Sequence, residues 1–315
     1  MMFFFDICIF AASLGLVMHG ASQATRHAVL VARSFNLSRY TVGFLVVAVI
    51  SILPETFISL NALAGGIPEF GLGTLLGSNV ADLTLVFALT TFVAARGLKV
   101  ESRILEHHRA YPWILIIPLI LGFDGNFSRL DGLALLTVGA IFYYLAFKGG
   151  RGDVAVSAPS REVFPAVGRL FLYMVVLLVG AHFTVSSAAS IATYLDMSPV
   201  LIGMFVVGLG TTIPELFFSI KSTHHSHDDA LAVGDVLGTV LADATIVIGI
   251  LALLSPFSFP VTIIYIAGAF MVAGAFILFN FMRSGHLLTR REGIVLVVFW
   301  LLFVAVEFIV HHGGG

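Results

Sequence analysis

Four acidic residues stand inside otherwise apolar stretches of the 315-residue sequence: Glu55, Asp82, Glu215 and Asp243. An isolated ionised carboxylate in such surroundings costs several kcal/mol unless it binds a cation or a proton. Each has a hydroxyl four residues upstream, at Ser51, Ser78, Thr211 and Thr239. Residues at i and i+4 share a helix face, so four helices would each present an oxygen pair. Pro54 and Pro214 precede the two glutamates. An interior proline has no N–H for the carbonyl four residues back, which frees the carbonyls near Ile50 and Gly210. Carboxylate, hydroxyl and carbonyl oxygens are the ligands of which Ca²⁺ takes about six to eight, and which Na⁺ also accepts. A lone serine or threonine in a membrane helix commonly bonds its own backbone, and a lone proline commonly only kinks. Four acid–hydroxyl pairs, repeated in order and without a basic partner in the same segments, favour a cation site instead.

Helices must position these groups. Hydrophobic residues make up 59% of the chain and charged residues 11%, with a mean hydropathy of +1.05, whereas soluble domains carry about a quarter charged residues. One soluble core cannot absorb so much apolar surface, and runs of about 20 residues suit bilayer-spanning helices. Stretches such as Trp113 to Phe123 do not alternate apolar and polar residues, which argues against a membrane barrel. The expected fold is an all-α polytopic membrane protein with ten transmembrane helices, near 3–32, 40–65, 70–95, 105–123, 127–147, 166–193, 199–221, 229–254, 257–281 and 291–311. Asp6 and the lack of a basic leader make the first of these a retained helix rather than a cleaved signal. A net charge of −2 leaves no basic excess for nucleic acid. The single Cys8 can form neither an internal disulfide nor a cysteine metal cluster, and no cofactor is implied.

Lys and Arg crowd one set of connections, among them Arg33, Arg39, Arg96, Lys99, Lys148, Arg151, Arg283 and Arg290, while the opposite set holds only Arg129. That asymmetry places both termini outside the cytoplasm. The chain also repeats itself. Gly20-Ala21 recurs as Gly180-Ala181, Gly43 as Gly203 and Pro54-Glu55 as Pro214-Glu215; Gly77 and Ala81-Asp82 recur as Gly238 and Ala242-Asp243 after a one-residue insertion. Five helices per copy is odd, so the second copy enters from the opposite face. This is an inverted repeat, with residues 1–150 as the first half and 151–315 as the second, a layout typical of transporters.

Other polar residues carry less. His224, His225 and His227 with Asp228 and Asp229 could bind metal, but a solvated cytoplasmic turn explains them more simply. His19 and His182 read as packing histidines rather than proton carriers. Glu69 and Asp235 read as helix N-terminal acids, with lining of a vestibule as the alternative. Glu307 has no assignment.

At the acidic segments the sequence resembles the cation/Ca²⁺ exchanger superfamily, and most closely its prokaryotic sodium/calcium exchangers. Its signature is a Gly-Thr-Ser-hydrophobic-Pro-Glu segment followed by Gly-Ser-Asn-x-x-Asn/Asp. Here the first copy reads Ile50-Ser51-Ile52-Leu53-Pro54-Glu55 and Gly77-Ser78-Asn79-Val80-Ala81-Asp82; the second reads Gly210-Thr211-Thr212-Ile213-Pro214-Glu215 and Gly238-Thr239-Val240-Leu241-Ala242-Asp243. The resemblance implies a non-enzymatic antiporter of a prokaryotic cell membrane that exchanges Ca²⁺ for Na⁺ by alternating access. Its partners would be inorganic cations and the lipid bilayer, with no protein partner. It implies that Glu55 and Glu215 are central Ca²⁺ ligands, that Ser51, Ser78, Thr211, Thr212 and Thr239 flank them at Na⁺ sites, and that Asp82 and Asp243 complete the ring. The first and sixth helices would slide as a gate.

Three positions depart from the signature. Ile52 lacks a hydroxyl, Asp82 adds an acid where asparagine is frequent, and Val240 replaces an asparagine. The flank near Ser51 and Ser78 is therefore expected to be one oxygen poorer than the flank near Thr212 and Thr239. A Ca²⁺/H⁺ exchanger using Asp82 is the alternative within the fold. A receptor or structural protein is the alternative outside it, and it lacks any sizeable extramembrane domain.

Overall fold

The computed structural model describes residues 2–32, 44, 48–94, 96–100, 110–149, 160–195, 197–225 and 229–312, and its helices follow the apolar runs. Helix α1 spans Met2–Ala32. After a helical turn at Ala48–Ser51, α2 spans Leu53–Ala64. Then come α3 at Pro68–Ala94, α4 at Tyr111–Leu121, α5 at Arg129–Gly149 and α6 at Ser160–Tyr194. The last four are α7 at Pro199–Thr223, α8 at Asp229–Leu254, α9 at Ile264–Arg283 and α10 at Arg290–His312. Among the described residues eight helices, all but α2 and α4, are long and apolar enough to cross a bilayer. The expected start of the second span, 40–47, lies outside the described residues except for Phe44. Pro112 and Pro118 keep α4 short, since each removes a backbone donor.

Helices α3 and α8 form the centre. Leu72, Leu75, Leu76 and Val80 on α3, and Val236, Leu237, Val240 and Leu241 on α8, are buried on every side. A helix that is apolar all round belongs in such a core. By contrast α1, α6 and α10 turn Phe4, Phe164, Phe171, Leu301 and Ile309 outward. So much exposed aromatic and aliphatic surface suits lipid rather than water.

Contacts recur along the chain with their partners exchanged. A Cβ on Gly20 would meet Leu177, and one on Gly180 would meet Val17. Leu177 and Gly180 each stand 160 residues after Val17 and Gly20. These reciprocal contacts lie along the packed pair α1 and α6. The short strands behave alike: β1 (Leu98–Lys99) pairs with β4 (Leu287–Leu288), and β2 (Asn126–Phe127) pairs with β3 (Phe257–Ser258), both antiparallel. Gly125 and His286, 161 residues apart, both take positive φ, at 77° and 54°. Exchange of partners is what a two-fold relation between two segments generates.

One clasp has no counterpart in this pattern among the described residues. Beyond the end of α3, the Arg96 guanidinium donates to both carboxylate oxygens of Asp229, at 2.8 and 2.7 Å, and the Lys99 amide donates to Asp229 Oδ2 at 2.8 Å. Hydrogen bonding to Asp229 holds the Arg96 pKa above its ordinary value, so the pair keeps its cation. The start of α8 is thereby tied to the end of α3.

Candidate cation site

Each glutamate follows a proline that removes one helical donor. Ile52 keeps right-handed helical dihedrals, donates to the Ala48 carbonyl at 3.0 Å and accepts from the Thr56 amide at 2.8 Å, so the turn at Ala48–Ser51 runs on into α2 with a donor missing at Pro54. Pro214 lies inside α7, whose first residues, Pro199–Leu201, lead into a wide π-helical stretch at Ile202–Val207.

The aspartates share a different device. Asp82 and Asp243 are the first residues of π-helical turns at Asp82–Val86 and Asp243–Val247. Moving each amide's partner one residue further back leaves a carbonyl without its usual donor, and such turns are frequent at functional sites. Thr84 and Thr245, again 161 residues apart, donate their hydroxyls to the carbonyls of Val80 and Leu241 at 2.5 and 2.6 Å. On α8 the Tyr111 and Tyr143 hydroxyls donate to the carbonyls of Leu237 and Gly238, both at 2.7 Å.

Glycine permits the close approach that brings these helices together. A Cβ on Gly77 would fall 2.5 Å from the Met204 carbonyl oxygen, and one on Gly238 would fall 2.6 Å from that of Phe44. Met204 stands 160 residues after Phe44 and Gly238 stands 161 after Gly77, so this is another exchanged pair. Ser78 and Thr239 follow those glycines directly, which sets α3 against α7 and α8 against the segment ahead of α2 at the level of the site.

All four acids expected from the sequence are buried, none more than 2% exposed. Their charges act on one another: Glu215 with Glu55 and Asp82, and Asp243 with the same two. Glu55 Oε2, Asp82 Oδ1, Glu215 Oε2 and both Asp243 oxygens have no hydrogen-bond partner among the described residues. The described ion pair, Arg96 with Asp229, involves none of them.

The hydroxyls are oriented by their own helices. Ser78 Oγ donates to Leu75 at 3.0 Å, Thr211 Oγ1 to Gly208 at 3.0 Å and Thr212 Oγ1 to Gly208 at 2.9 Å. A hydroxyl that has given its proton to a carbonyl still offers lone pairs, so backbone bonding and cation ligation coexist. Their acidic neighbours lie on other helices as well as their own: Thr211 stands beside Glu55, and Thr212 beside Asp82. Thr239 Oγ1 is buried without a partner among the described residues.

Asp235 departs from its expected place. It lies well inside α8 rather than at its start, and it is fully buried. It accepts from Ser51 Oγ at 3.1 Å and acts electrostatically on Asp82 and Glu215. Two sequence signals mark it: Asp235, Thr239 and Asp243 repeat at i, i+4 and i+8, and its partner 161 residues earlier is Thr74 rather than an acid. Glu69, in the first turn of α3 and half-buried, fits the helix-terminal role. His19 and His182 are exposed on α1 and α6, with Tyr173 and Asn61 as neighbours. His227 and the side chains of His224 and His225 lie outside the described residues.

No three acidic, histidine or cysteine side chains among the described residues close on a single point. The oxygens are instead spread over neighbouring positions. An ion here would be held by one or two carboxylates supplemented by hydroxyl and main-chain oxygens.

A sequence profile described as "Sodium/calcium exchanger protein" matches residues 5–148 and 165–309. The chain is 28% identical to the inner membrane protein YrbG of Escherichia coli, over 76% of this chain and 77% of that one. It is 21% identical to the sodium/calcium exchanger MaX1 of Methanosarcina acetivorans, over 94% and 97%. Among solved structures it resembles the sodium-calcium exchanger NCX_Mj soaked with Na⁺ and Sr²⁺, with a TM-score of 0.72 and 25% identity over 96% of this chain and 99% of that one. With profile matches over most of both halves, the chain belongs to the sodium/calcium exchanger protein family.

Proposed function

We propose that this protein is an antiporter that exchanges Ca²⁺ for Na⁺ across a prokaryotic cell membrane, built as two inverted five-helix repeats, residues 1–150 and 151–315, with ten spans and both termini outside the cytoplasm. Two findings support the architecture: the family profile matches one stretch in each half, and close contacts exchange partners at a spacing of 160 or 161 residues. The orientation rests on the distribution of Lys and Arg.

The observation that carries the transport function is the cluster of buried, mutually interacting acids with unpartnered oxygens on α2, α3, α7 and α8. In this assignment Glu55 and Glu215 hold Ca²⁺, Ser51, Ser78, Thr211, Thr212 and Thr239 supply oxygens for flanking Na⁺, and Asp82 and Asp243 complete the ring. Na⁺ and Ca²⁺ share the ring's negative charge, so loading one disfavours the other. The α1–α6 pair is placed to move against the core. Gly20 packs against Leu177 and Gly180 against Val17, so the two helices fit closely enough to move as one unit.

The test is ⁴⁵Ca²⁺ uptake into proteoliposomes with Na⁺, K⁺ and pH gradients imposed separately. An outward Na⁺ gradient should drive uptake and a K⁺ gradient should not. Uptake driven only by a pH gradient would replace Na⁺ with H⁺ as the coupling ion, and uptake that needs no gradient of any of the three would reject antiport.

A further inference from the structure

Asp235 is the buried acid that this exchange scheme leaves unused. It is fully buried, Ser51 Oγ donates to its Oδ1 at 3.1 Å, and its Oδ2 has no hydrogen-bond partner among the described residues. No Lys or Arg among the described residues forms an ion pair with it. One neutral hydroxyl does not offset the cost of burying a carboxylate. The position related to it by the repeat shows what a purely structural solution looks like. Thr74 there closes its hydroxyl onto the Phe70 carbonyl at 2.9 Å and leaves nothing unsatisfied.

The location gives this acid a use. Ser51 belongs to the flank on which Ile52 stands where the other half has Thr212. That flank lacks a hydroxyl but gains a carboxylate from α8. Thr239 and Asp243 follow on the same α8 face, about 6 and 12 Å further along at 1.5 Å per residue. Asp235 therefore lies beside the ring, toward the end at which α8 begins.

We propose that Asp235 and Ser51 form an accessory position for a monovalent cation, Na⁺ in the exchange scheme on which this inference rests. One carboxylate balances one positive charge. A Ca²⁺ ion needs more oxygens, about six to eight, and no cage of three acidic, histidine or cysteine side chains forms among the described residues. The Asp235 charge acts on Asp82 and Glu215. A cation held there would cancel part of the negative potential that attracts Ca²⁺ to the ring, so its binding opposes Ca²⁺ binding without sharing Ca²⁺ ligands.

The experiment is thermal unfolding of detergent-purified protein titrated with NaCl, with choline chloride holding ionic strength constant, and separately with CaCl₂. Asp235→Asn keeps the side-chain volume and the acceptor for Ser51 while removing the charge. It should raise the Na⁺ midpoint by at least about fivefold, on a scale where tenfold is about 1.4 kcal/mol, and, because its charge also acts on Asp82 and Glu215, raise the Ca²⁺ midpoint by a smaller factor. An unchanged Na⁺ midpoint would overturn the proposal and leave Asp235 as a hydrogen-bond acceptor. If Asp235→Asn cannot be purified folded, Asp235→Thr, which brings in the charge-free residue of the repeat-related position 74, replaces it. A rise in its Na⁺ midpoint supports the position, and no change overturns it. Parent protein that shows Asp235-dependent Na⁺ protection but no Na⁺-driven Ca²⁺ transport would keep this position and reject the exchange scheme. Normal exchange with an unshifted Na⁺ midpoint in Asp235→Asn would do the reverse.

Discussion

Glu55 and Glu215 occupy matching places in the two halves of the chain, yet their surroundings differ in chemistry. The first half contributes Ser51, Ile52, Thr74, Ser78 and Asp82; the second contributes Thr211, Thr212, Asp235, Thr239 and Asp243. The backbone devices are held in common: π-helical turns at both aspartates, glycine contacts at Gly77 and Gly238, and threonine hydroxyls at Thr84 and Thr245. At the acidic segments the divergence is in side chains, where Ile52 stands for Thr212 across the repeat and Thr74 for Asp235. Around the four acids the backbone is matched while the charge is not, with Asp235 adding a carboxylate to the second half alone.

The largest effects should fall where the halves agree. Glu55→Gln and Glu215→Gln each remove a charge without changing volume, and each should lower the initial rate of Ca²⁺ transport at least about 100-fold, the equivalent of roughly 3 kcal/mol. Proteoliposome uptake with equal reconstituted protein checks this. A variant that keeps near-parent rates would take its glutamate out of the site.

Next come the shared glycines. Gly77→Ala and Gly238→Ala push a methyl group into backbone at 2.5 and 2.6 Å, and each should cost about 1–3 kcal/mol in stability. Gly168→Ala, with open space around it, should leave the melting temperature unchanged or slightly raised. Similar behaviour of all three variants would mean that the helices do not approach as described.

Smaller shifts are expected where the halves differ. Thr212→Val deletes one oxygen from the second half and should raise the Na⁺ requirement about three- to tenfold in Na⁺-driven Ca²⁺ efflux. Ile52→Ser adds an oxygen to a flank already served by Asp235, so its improvement should be less than about threefold. If neither changes the Na⁺ dependence, positions 52 and 212 do not line monovalent sites. The smallest effect belongs to the clasp outside the ring. Arg96 is partly exposed, so Asp229→Asn should lower stability by no more than about 1 kcal/mol and leave the Ca²⁺ affinity unchanged.

Much of this was legible in the sequence because membrane burial makes a carboxylate conspicuous. Glu55, Asp82, Glu215 and Asp243 interrupt apolar runs, and a repeat offset needs only residue identity to detect. Asp235 was harder to read. Near the start of a helix, an acid has an ordinary explanation in the helix dipole, and its contact with Ser51 joins residues 184 positions apart. The π-helical turns left no trace in the pattern, since residues Asp82–Val86 look like any apolar helix with one acid. The pairing of Thr211 with Glu55 and Thr212 with Asp82 was likewise hidden, because i and i+4 spacing describes one helix and says nothing of its neighbours. The prolines that keep α4 short, Pro112 and Pro118, are by contrast plain in the sequence.

The central claim is that Na⁺ and Ca²⁺ draw on one ring of oxygens around Glu55 and Glu215. Equilibrium binding of ⁴⁵Ca²⁺ to the purified protein, titrated with NaCl against a KCl background at constant total salt and pH, tests it most directly. The account predicts that Na⁺ displaces Ca²⁺ with a Hill coefficient above one, that K⁺ does not, and that Glu55→Gln abolishes the bound Ca²⁺. Saturable Ca²⁺ binding that Na⁺ leaves untouched, or that survives Glu55→Gln, would contradict it.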